Sequence, residues 1–541
     1  MPTTKAILKS STALAALAVI VAGCSPVSSP STTQSSGTDA RTAKNGGTLR
    51  VALAAEPDKL DPTLARTLVG RTVFNAICEK LYDVDSKLTV VPQLAAALPE
   101  FSADGMTVTI KLRTGIKFAD GTTMDATAVK TSLDRHRSLA GSARASELSS
   151  VADVAVTDPA TVSIKLKVPF TPLTAVLADR SGMILSPAAL KTSGDANFAT
   201  SPVCVGPFKF ASRIAQDRIE VVKDANYYDA AKVHLDGITY KIIADAATRL
   251  NNLRSGDVEV LDAVAATDVE TLRSDPNLSL ITSESLGYQG LTLNLGNVDG
   301  VGKAPKQLSA PYAGPVATDK RVRQAFEMSL DRAAINQVVF RGQFSPACGP
   351  ISPASPFSSE AAQACAKHDP AAAKALLATA GVATPVKVSM VIGNTPDARR
   401  LGEAIQAQVK EGGFDLQLQP VEFAASLAQT DAGKFQIFQI GWSGRVDPDG
   451  NIANFVRSGG SQNICGYANP DVDSLIDQAR KTPDVAARRD LYGQVITKLH
   501  DDAPLIYLYR QKNLTGVSSK IVGVNVYGDG LLRFGSAGFA A

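Results

Sequence analysis

The segment Gly441-Trp442-Ser443-Gly444-Arg445-Val446-Asp447-Pro448-Asp449 gathers an indole, a hydroxyl, a guanidinium and two carboxylates within nine residues, and Trp442 is the only tryptophan of the chain. Two chemistries fit these types. The flanking glycines let backbone approach a ligand that stacks on the indole. Alternatively, Asp447 and Asp449 act as an acid and base pair in a hydrolase. The second is weak, because an i, i+2 spacing across proline does not face two carboxylates toward one another. Gly441 to Gly444 is one residue short of a nucleophile elbow. Asp447 to Asn451 has its glycine too early for a calcium loop and lacks the closing glutamate. No phosphate loop or H-E-x-x-H motif occurs. His136, His234, His368 and His500 show no metal-ligand spacing and read as surface or capping residues. No catalytic constellation remains, so the residues point to binding rather than catalysis. Trp442 as core packing, with the acids capping a following helix, is the competing reading.

The elements around this segment are legible from pattern. A strand-like run, 435–440, leads into it, and in open α/β sheets ligands sit beyond the carboxyl ends of strands. Two further strand-like runs, 386–392 and 414–421, alternate with helices. Asp369-Pro370 starts one that Gly381 stops, Thr395-Pro396 and Gly412 bracket another, and Asn469-Pro470 starts a third. Strand, helix, strand at this spacing predicts an α/β unit. The first half is richer in strands. Leu49 to Leu53 opens it, and Met106, Val108, Ile110 and Leu112 alternate with polar residues, as do Val162, Ile164, Leu166 and Val168. Arg321 and Arg323 read as a solvated helix face.

A length of 541 residues implies two or three packed units. With 55 Lys plus Arg against 52 Asp plus Glu, the chain has no broad phosphate-binding footprint, and a nucleic-acid partner is not expected. Lys5, Lys9 and the short apolar run from Ala13 to Ala22 form an export leader, residues 1–23. Val21-Ala22-Gly23-Cys24 resembles the bacterial lipobox, which implies lipidation of Cys24 and a palmitate-type anchor. The Ser, Thr, Pro and Gly-rich stretch to residue 45 is then a tether. No later stretch has the roughly 18 uninterrupted apolar residues a membrane span needs. Five cysteines follow Cys24, an odd number, so at least one thiol lacks a partner within the chain. Cys348 and Cys365 flank a Pro/Ser-rich loop and form the best disulfide pair, a reduced packed pair being the alternative.

A series of short motifs carries a family resemblance over nearly all of the mature chain. In order they include Gly46-Gly47-Thr48-Leu49-Arg50-Val51-Ala52, Leu60-Asp61-Pro62 and Lys111-Leu112-Arg113-Thr114-Gly115-Ile116-Lys117-Phe118-Ala119-Asp120-Gly121. Val205-Gly206-Pro207-Phe208, Asn226-Tyr227-Tyr228, Arg321-Val322-Arg323-Gln324-Ala325, the Gly441-Trp442 segment and Tyr467-Ala468-Asn469-Pro470-Asp471 follow. Together they resemble extracytoplasmic solute-binding proteins of the peptide, dipeptide and nickel class that serve ABC importers. The resemblance implies an α/β fold, two-lobed and periplasmic-binding-protein-like (type II), with hinge closure over the ligand. Lobe I would take residues 46–290 plus 512–541, with an extra subdomain at about 80–205, and lobe II residues 291–511.

It also implies a monomeric, lipid-anchored protein on the outer face of the cytoplasmic membrane, with no enzymatic activity and no cofactor. Its partners would be a di- or oligopeptide and the permease and ATPase subunits of an importer. The candidate ligand contacts are Glu56, Tyr288, Asn394, Arg399, Trp442, Ser443, Arg445, Asp447, Asp449, Asn463 and Tyr467, with capping the simpler reading of Asn394 and Arg399, and with Glu56 equally read as a surface acid and Tyr467 as core. Two departures stand out. Dipeptide- and oligopeptide-binding relatives hold the ligand amine with an Asp three residues after the Trp, where this chain has Arg445. The Arg that dipeptide binders use for the carboxyl terminus falls at Ile392 here. Either Asp447 or Asp449 replaces the amine anchor, or the ligand is a longer peptide or a non-peptide anion; a carboxylate-bearing solute such as haem stays open. A non-transport envelope regulator is a further alternative.

Overall fold

The computed structural model describes residues 41–541, so the leader, Cys24 and the tether up to residue 40 lie outside the described residues. Leu49, Val51 and Leu53 are fully buried in the strand Thr48–Leu53, which runs parallel to Gly237–Ile242 and Val260–Leu261 inside a seven-stranded sheet. A central parallel strand is covered on both faces, which explains a run more continuously apolar than alternating. Antiparallel strands close both edges, Arg218–Lys223 and Phe208–Ile214 on one side, Lys512–Ser518 and Leu278–Glu284 on the other.

The alternating runs build a separate four-stranded antiparallel sheet from Glu100–Phe101, Thr107–Lys111, Thr161–Leu166 and Val151–Asp158. Val108, Ile110, Val162 and Ile164 are fully buried and share one core with Val129 and Leu133 of the helix Ala126–Ser138. Met106 and Val168 fall outside the strands, and Val168 is exposed.

The third major sheet has six strands, ordered Ser345–Pro346, Leu505–Arg510, Tyr288–Leu293, Ile437–Trp442, Val386–Gly393 and Phe414–Val421. The last two are parallel and joined by the helix Pro396–Glu411, which buries Leu401, Ile405 and Val409. Asp369, Thr395 and Asn469 each cap a helix by accepting a first-turn backbone N–H, with proline in the first turn. The strand expected to end at Ile440 runs on to Trp442, because Tyr288–Leu293 pairs with it antiparallel and sets Tyr288 opposite Trp442. Among the described residues no helix is long and apolar enough to cross a membrane.

The chain passes between the seven- and six-stranded sheets twice, through residues 285–287 and through Gln511. Arg510 sits at this junction, 3% exposed. Its guanidinium donates to the carbonyls of Leu286, Gly287, Gly349 and Ile351, joining both crossings to the loop after Cys348. That loop is held by the Cys348–Cys365 disulfide, whose Cα atoms are 5.0 Å apart. A second disulfide joins Cys78 and Cys204, and Cys465 is a buried free thiol.

Two surface expectations are corrected by burial. Arg323 is buried and donates to the carbonyls of Asp502, Val316 and Ala317, where it ties two helix ends together. His136 is fully buried, with its ring nitrogens 2.8 Å from Thr63 Oγ1 and 2.9 Å from the Met183 carbonyl. Burial lowers its pKa to about 4, so it is neutral.

Candidate functional site

The Trp442 segment is shaped by close backbone approach. Gly287 in the first crossing packs against the Trp442 carbonyl, leaving no room for a Cβ. Gly444 takes a φ of +82° against Leu286, a conformation and a fit that favour glycine. These contacts fix the indole. Its Nε1–H donates to Asn451 Oδ1 at 2.9 Å, its ring meets Phe455 edge-on at 5.0 Å, and the Arg445 guanidinium lies 4.2 Å over its face. Asn451 also accepts from the Arg445 N–H and donates to the Arg445 carbonyl, so one amide organises the whole turn.

Two cavities flank the segment. The first, ≈ 610 Å³ counted to its open mouth, is walled by Tyr288, Thr292, Ile440, Gly441, Phe455 and Tyr507. Arg66, from the loop before the helix Leu68–Ile77, closes over it by pairing with Asp431 at 2.8 Å. An apolar wall with few polar groups suits a small solute. The Tyr288 hydroxyl has no hydrogen-bond partner although it is buried beside this cavity, and burial raises its pKa. A buried hydroxyl left unpaired is costly, so a ligand polar atom would complete it.

The second cavity, ≈ 470 Å³ on the same measure, has Glu147, Asp179, Arg445, Asp447, Asp449 and Arg480 in its wall. Its carboxylates are already engaged. Asp447 accepts from Arg488 at 2.8 Å, and Asp449 takes both arms of Arg480 at 2.6 and 3.1 Å. Burial pushes the Asp447 pKa up even against Arg488. Burial would likewise raise Asp179, but Arg445 at 2.7 Å and Arg71 at 3.1 Å overturn this and hold it well below the usual carboxylate range. Burial in turn lowers Arg445 to about 10 despite the attraction of Asp179. A third hollow is walled by Leu88, Val90, Leu286, Phe357 and Val446, and it adjoins the second through Ala175 and Asp447.

Of the residues singled out in the sequence, Tyr288, Trp442, Ser443, Arg445, Asp447 and Asp449 come together around these cavities. Ser443 Oγ accepts from Arg71 at 3.4 Å. The others lie elsewhere or are otherwise engaged. Glu56 pairs with Arg213 at 2.5 Å and accepts from Gln216. Asn394 and Arg399 are exposed at a helix start. Asn463 is buried and braces its own turn through the Arg457 and Tyr467 carbonyls, while the Tyr467 hydroxyl donates to Asp502 at 2.6 Å. Sequence reasoning missed Arg66, Asp431, Asp179 and Glu147. Arg66 meets Asp431 across 365 residues, a contact no local pattern announces. Among the described residues, no group of three or more His, Cys, Asp or Glu side chains is arranged to hold a metal ion.

Comparison with known proteins gives a consistent picture. Residues 89–463 match the model of bacterial extracellular solute-binding proteins, family 5. A glutathione-binding protein of Pectobacterium atrosepticum is 27% identical over 500 residues, 90% of this chain and 93% of that one. Its Escherichia coli K12 counterpart is 28% identical over 486 residues, 87% and 91% of the two chains. The binding protein AgaA of A. tumefaciens R10, solved with agropinic acid, is similar in structure with a TM-score of 0.79 and 28% identity, covering 91% of this chain and 96% of that one. The oligopeptide-binding protein AppA of Bacillus subtilis, solved with a nonapeptide, shares the fold at a TM-score of 0.81 and 23% identity, covering 92% and 100%.

Proposed function

Since the chain belongs to the bacterial extracellular solute-binding proteins of family 5, we propose that it captures a small peptide-type solute outside the cytoplasmic membrane and delivers it to the permease and ATPase subunits of an importer. The observation that carries this reading is the first cavity. It lies between the six-stranded sheet and the loop before Leu68, is closed over by the Arg66–Asp431 pair, and is lined by Tyr288, whose buried hydroxyl is unpartnered. The names of the glutathione-binding relatives support a peptide of few residues as the solute. Glutathione carries two carboxylates and one amine; Arg66 and Asp431 line the first cavity and Arg445 the second, so guanidinium groups and an acid flank the Trp442 segment.

The two crossings at 285–287 and Gln511 serve as the hinge, and lobe I pivots on them against lobe II. Closure expels water, so the solute's polar groups meet partners inside. Arg66 with Asp431, Arg445 with Asp179, and Ser146 with Ser461 at 2.7 Å are the contacts that closure makes. A lipid on Cys24 would keep the body at the membrane through the tether.

Titration calorimetry with reduced glutathione, a di- and tripeptide pool and haem tests this. Saturable peptide binding with the peptide recovered unchanged is expected, together with a weaker affinity in Tyr288→Phe. Saturable haem binding without any peptide binding would overturn the peptide reading, and turnover of the peptide would overturn the transport role.

A further inference from the structure

The second cavity backs onto an unusual concentration of arginine. Arg71, Arg144, Arg180 and Arg445 surround two carboxylates, Asp179 and Glu147. Arg144 and Arg180 are 2% and 1% exposed, so this charge is not spread into solvent. The remaining ionic pairs of the wall, Arg480 with Asp449 and Arg488 with Asp447, balance one to one. The cluster therefore holds two more positive charges than negative ones in a largely dry place, where an uncompensated ion is expensive.

The unfilled hydrogen-bonding positions tell the same story. Both Asp449 oxygens are taken by Arg480, and Glu147 accepts from Arg144 at 2.6 Å and from Ser181 at 2.5 Å. Both Asp179 oxygens face arginines. Left without hydrogen-bond partners are three donors, Arg144 Nε, Arg180 Nε and Arg445 Nη2, against one acceptor, Asp179 Oδ2, which Arg445 Nε meets as an ion pair at 2.7 Å. Of these residues, Arg445 is in the cavity wall itself. A site with spare N–H groups and surplus positive charge is completed by an acceptor that carries negative charge. An ammonium group would add donors where spare donors already outnumber spare acceptors three to one, and a like charge where two are already in excess.

We propose that the compartment at Arg445 takes a carboxylate of the solute, so that the chain selects anionic ligands at the position where a free amine would otherwise be held. This rests on the reading of the cleft as the solute site, and it narrows that reading to acidic, carboxylate-rich solutes. Arg445 acts as the specificity-determining contact. Arg71 and Arg180 flank Asp179, Arg144 holds Glu147, and together they keep the compartment positive from behind.

Trp442 provides the readout, because Arg445 lies over the face of the chain's only tryptophan. The full chain is titrated with glutarate, a plain dicarboxylate, and in parallel with putrescine, a plain diammonium, while tryptophan emission is followed. A saturable change with glutarate and none with putrescine is expected. In Arg445→Gln the glutarate affinity falls at least about tenfold, as loss of a hydrogen bond to a charged group implies, and Arg445→Lys recovers part of it.

Should Arg445→Gln fail to fold, Glu147→Gln tests the same wall from the other side, since removing an acid must tighten glutarate. A response to putrescine in place of glutarate, a glutarate response unchanged in Arg445→Gln, a looser Glu147→Gln, or no glutarate response up to tens of millimolar overturns the assignment. The two readings fail separately. Glutarate binding without binding of any peptide removes the peptide reading alone, whereas peptide binding indifferent to Arg445→Gln removes this inference alone.

Discussion

Replacing Arg510 by methionine tests whether one guanidinium holds the two crossings in place. In the native chain Nη1 donates to the Leu286 carbonyl at 3.4 Å and to that of Gly287, and Nη2 to Gly349 at 3.1 Å and Ile351 at 3.0 Å. Methionine fills much of the same volume but leaves the buried Leu286, Gly287 and Gly349 carbonyls without a donor, at about 2 kcal/mol each, while Ile351 keeps the Gln363 amide at 3.0 Å. Part of that loss is offset. Burial lowers the Arg510 pKa to about 10 from 12.5, so the native ion carries an unfavourable contribution of about 3 kcal/mol that the variant sheds. The expected destabilisation is then about 3 kcal/mol. At about 2.1 cal/mol/K per residue over roughly 500 residues, this lowers Tm by about 3 °C. Scanning fluorimetry on the oxidised protein measures it, with Arg510→Lys, which keeps the charge but not the fork, expected to fall between wild type and methionine. A methionine variant melting within about 1 °C of wild type would refute the reasoning, since it would mean that water or a shifted loop satisfies those carbonyls as well as arginine does.

Other perturbations follow from equally local arguments. Burial raises the Glu79 pKa to about 7 against the opposing hydrogen bonds from Tyr227 and Tyr228 at 2.7 and 2.9 Å. A folded-state pKa above the unfolded value of about 4.5 means the stabilisation is complete below pH 4.5 and lost as pH rises through 7, about 3 kcal/mol in all. Glu79→Gln should flatten Tm against pH across that window, and an unchanged slope would count against the assignment. Gly287→Ala drives a Cβ into the Trp442 carbonyl and should cost about 3 kcal/mol or more, whereas Gly535→Ala, with nothing within 4 Å, should melt close to wild type. In the chain-entropy model, opening the 17-residue Cys348–Cys365 loop with Cys365→Ser costs about 3 kcal/mol, and opening the 126-residue Cys78–Cys204 loop with Cys204→Ser about 5 kcal/mol. Melting with and without reductant checks both, and equal losses would contradict the dependence on loop length.

Local grammar was written plainly in the chain. Asp369-Pro370, Thr395-Pro396 and Asn469-Pro470 start helices because a capping side chain and a fixed proline φ act within one turn. Val108, Ile110, Val162 and Ile164 announce a one-sided sheet because alternate side chains of a strand share a face. The motif series was enough to point to the solute-binding family and to the Trp442 segment. What only the tertiary structure decided is which charges meet. Asp447 and Asp449 read as free ligand anchors until Arg488 and Arg480, 41 and 31 residues further on, prove to occupy them. Asp179 and Arg66 carried no local signal because their partners, Arg445 and Asp431, come from a distant part of the chain. Capping and alternation depend on neighbours a few residues away, so sequence order suffices for them. Electrostatic balance in a cleft depends on distance through space, and that distance exists only once the sheets are packed.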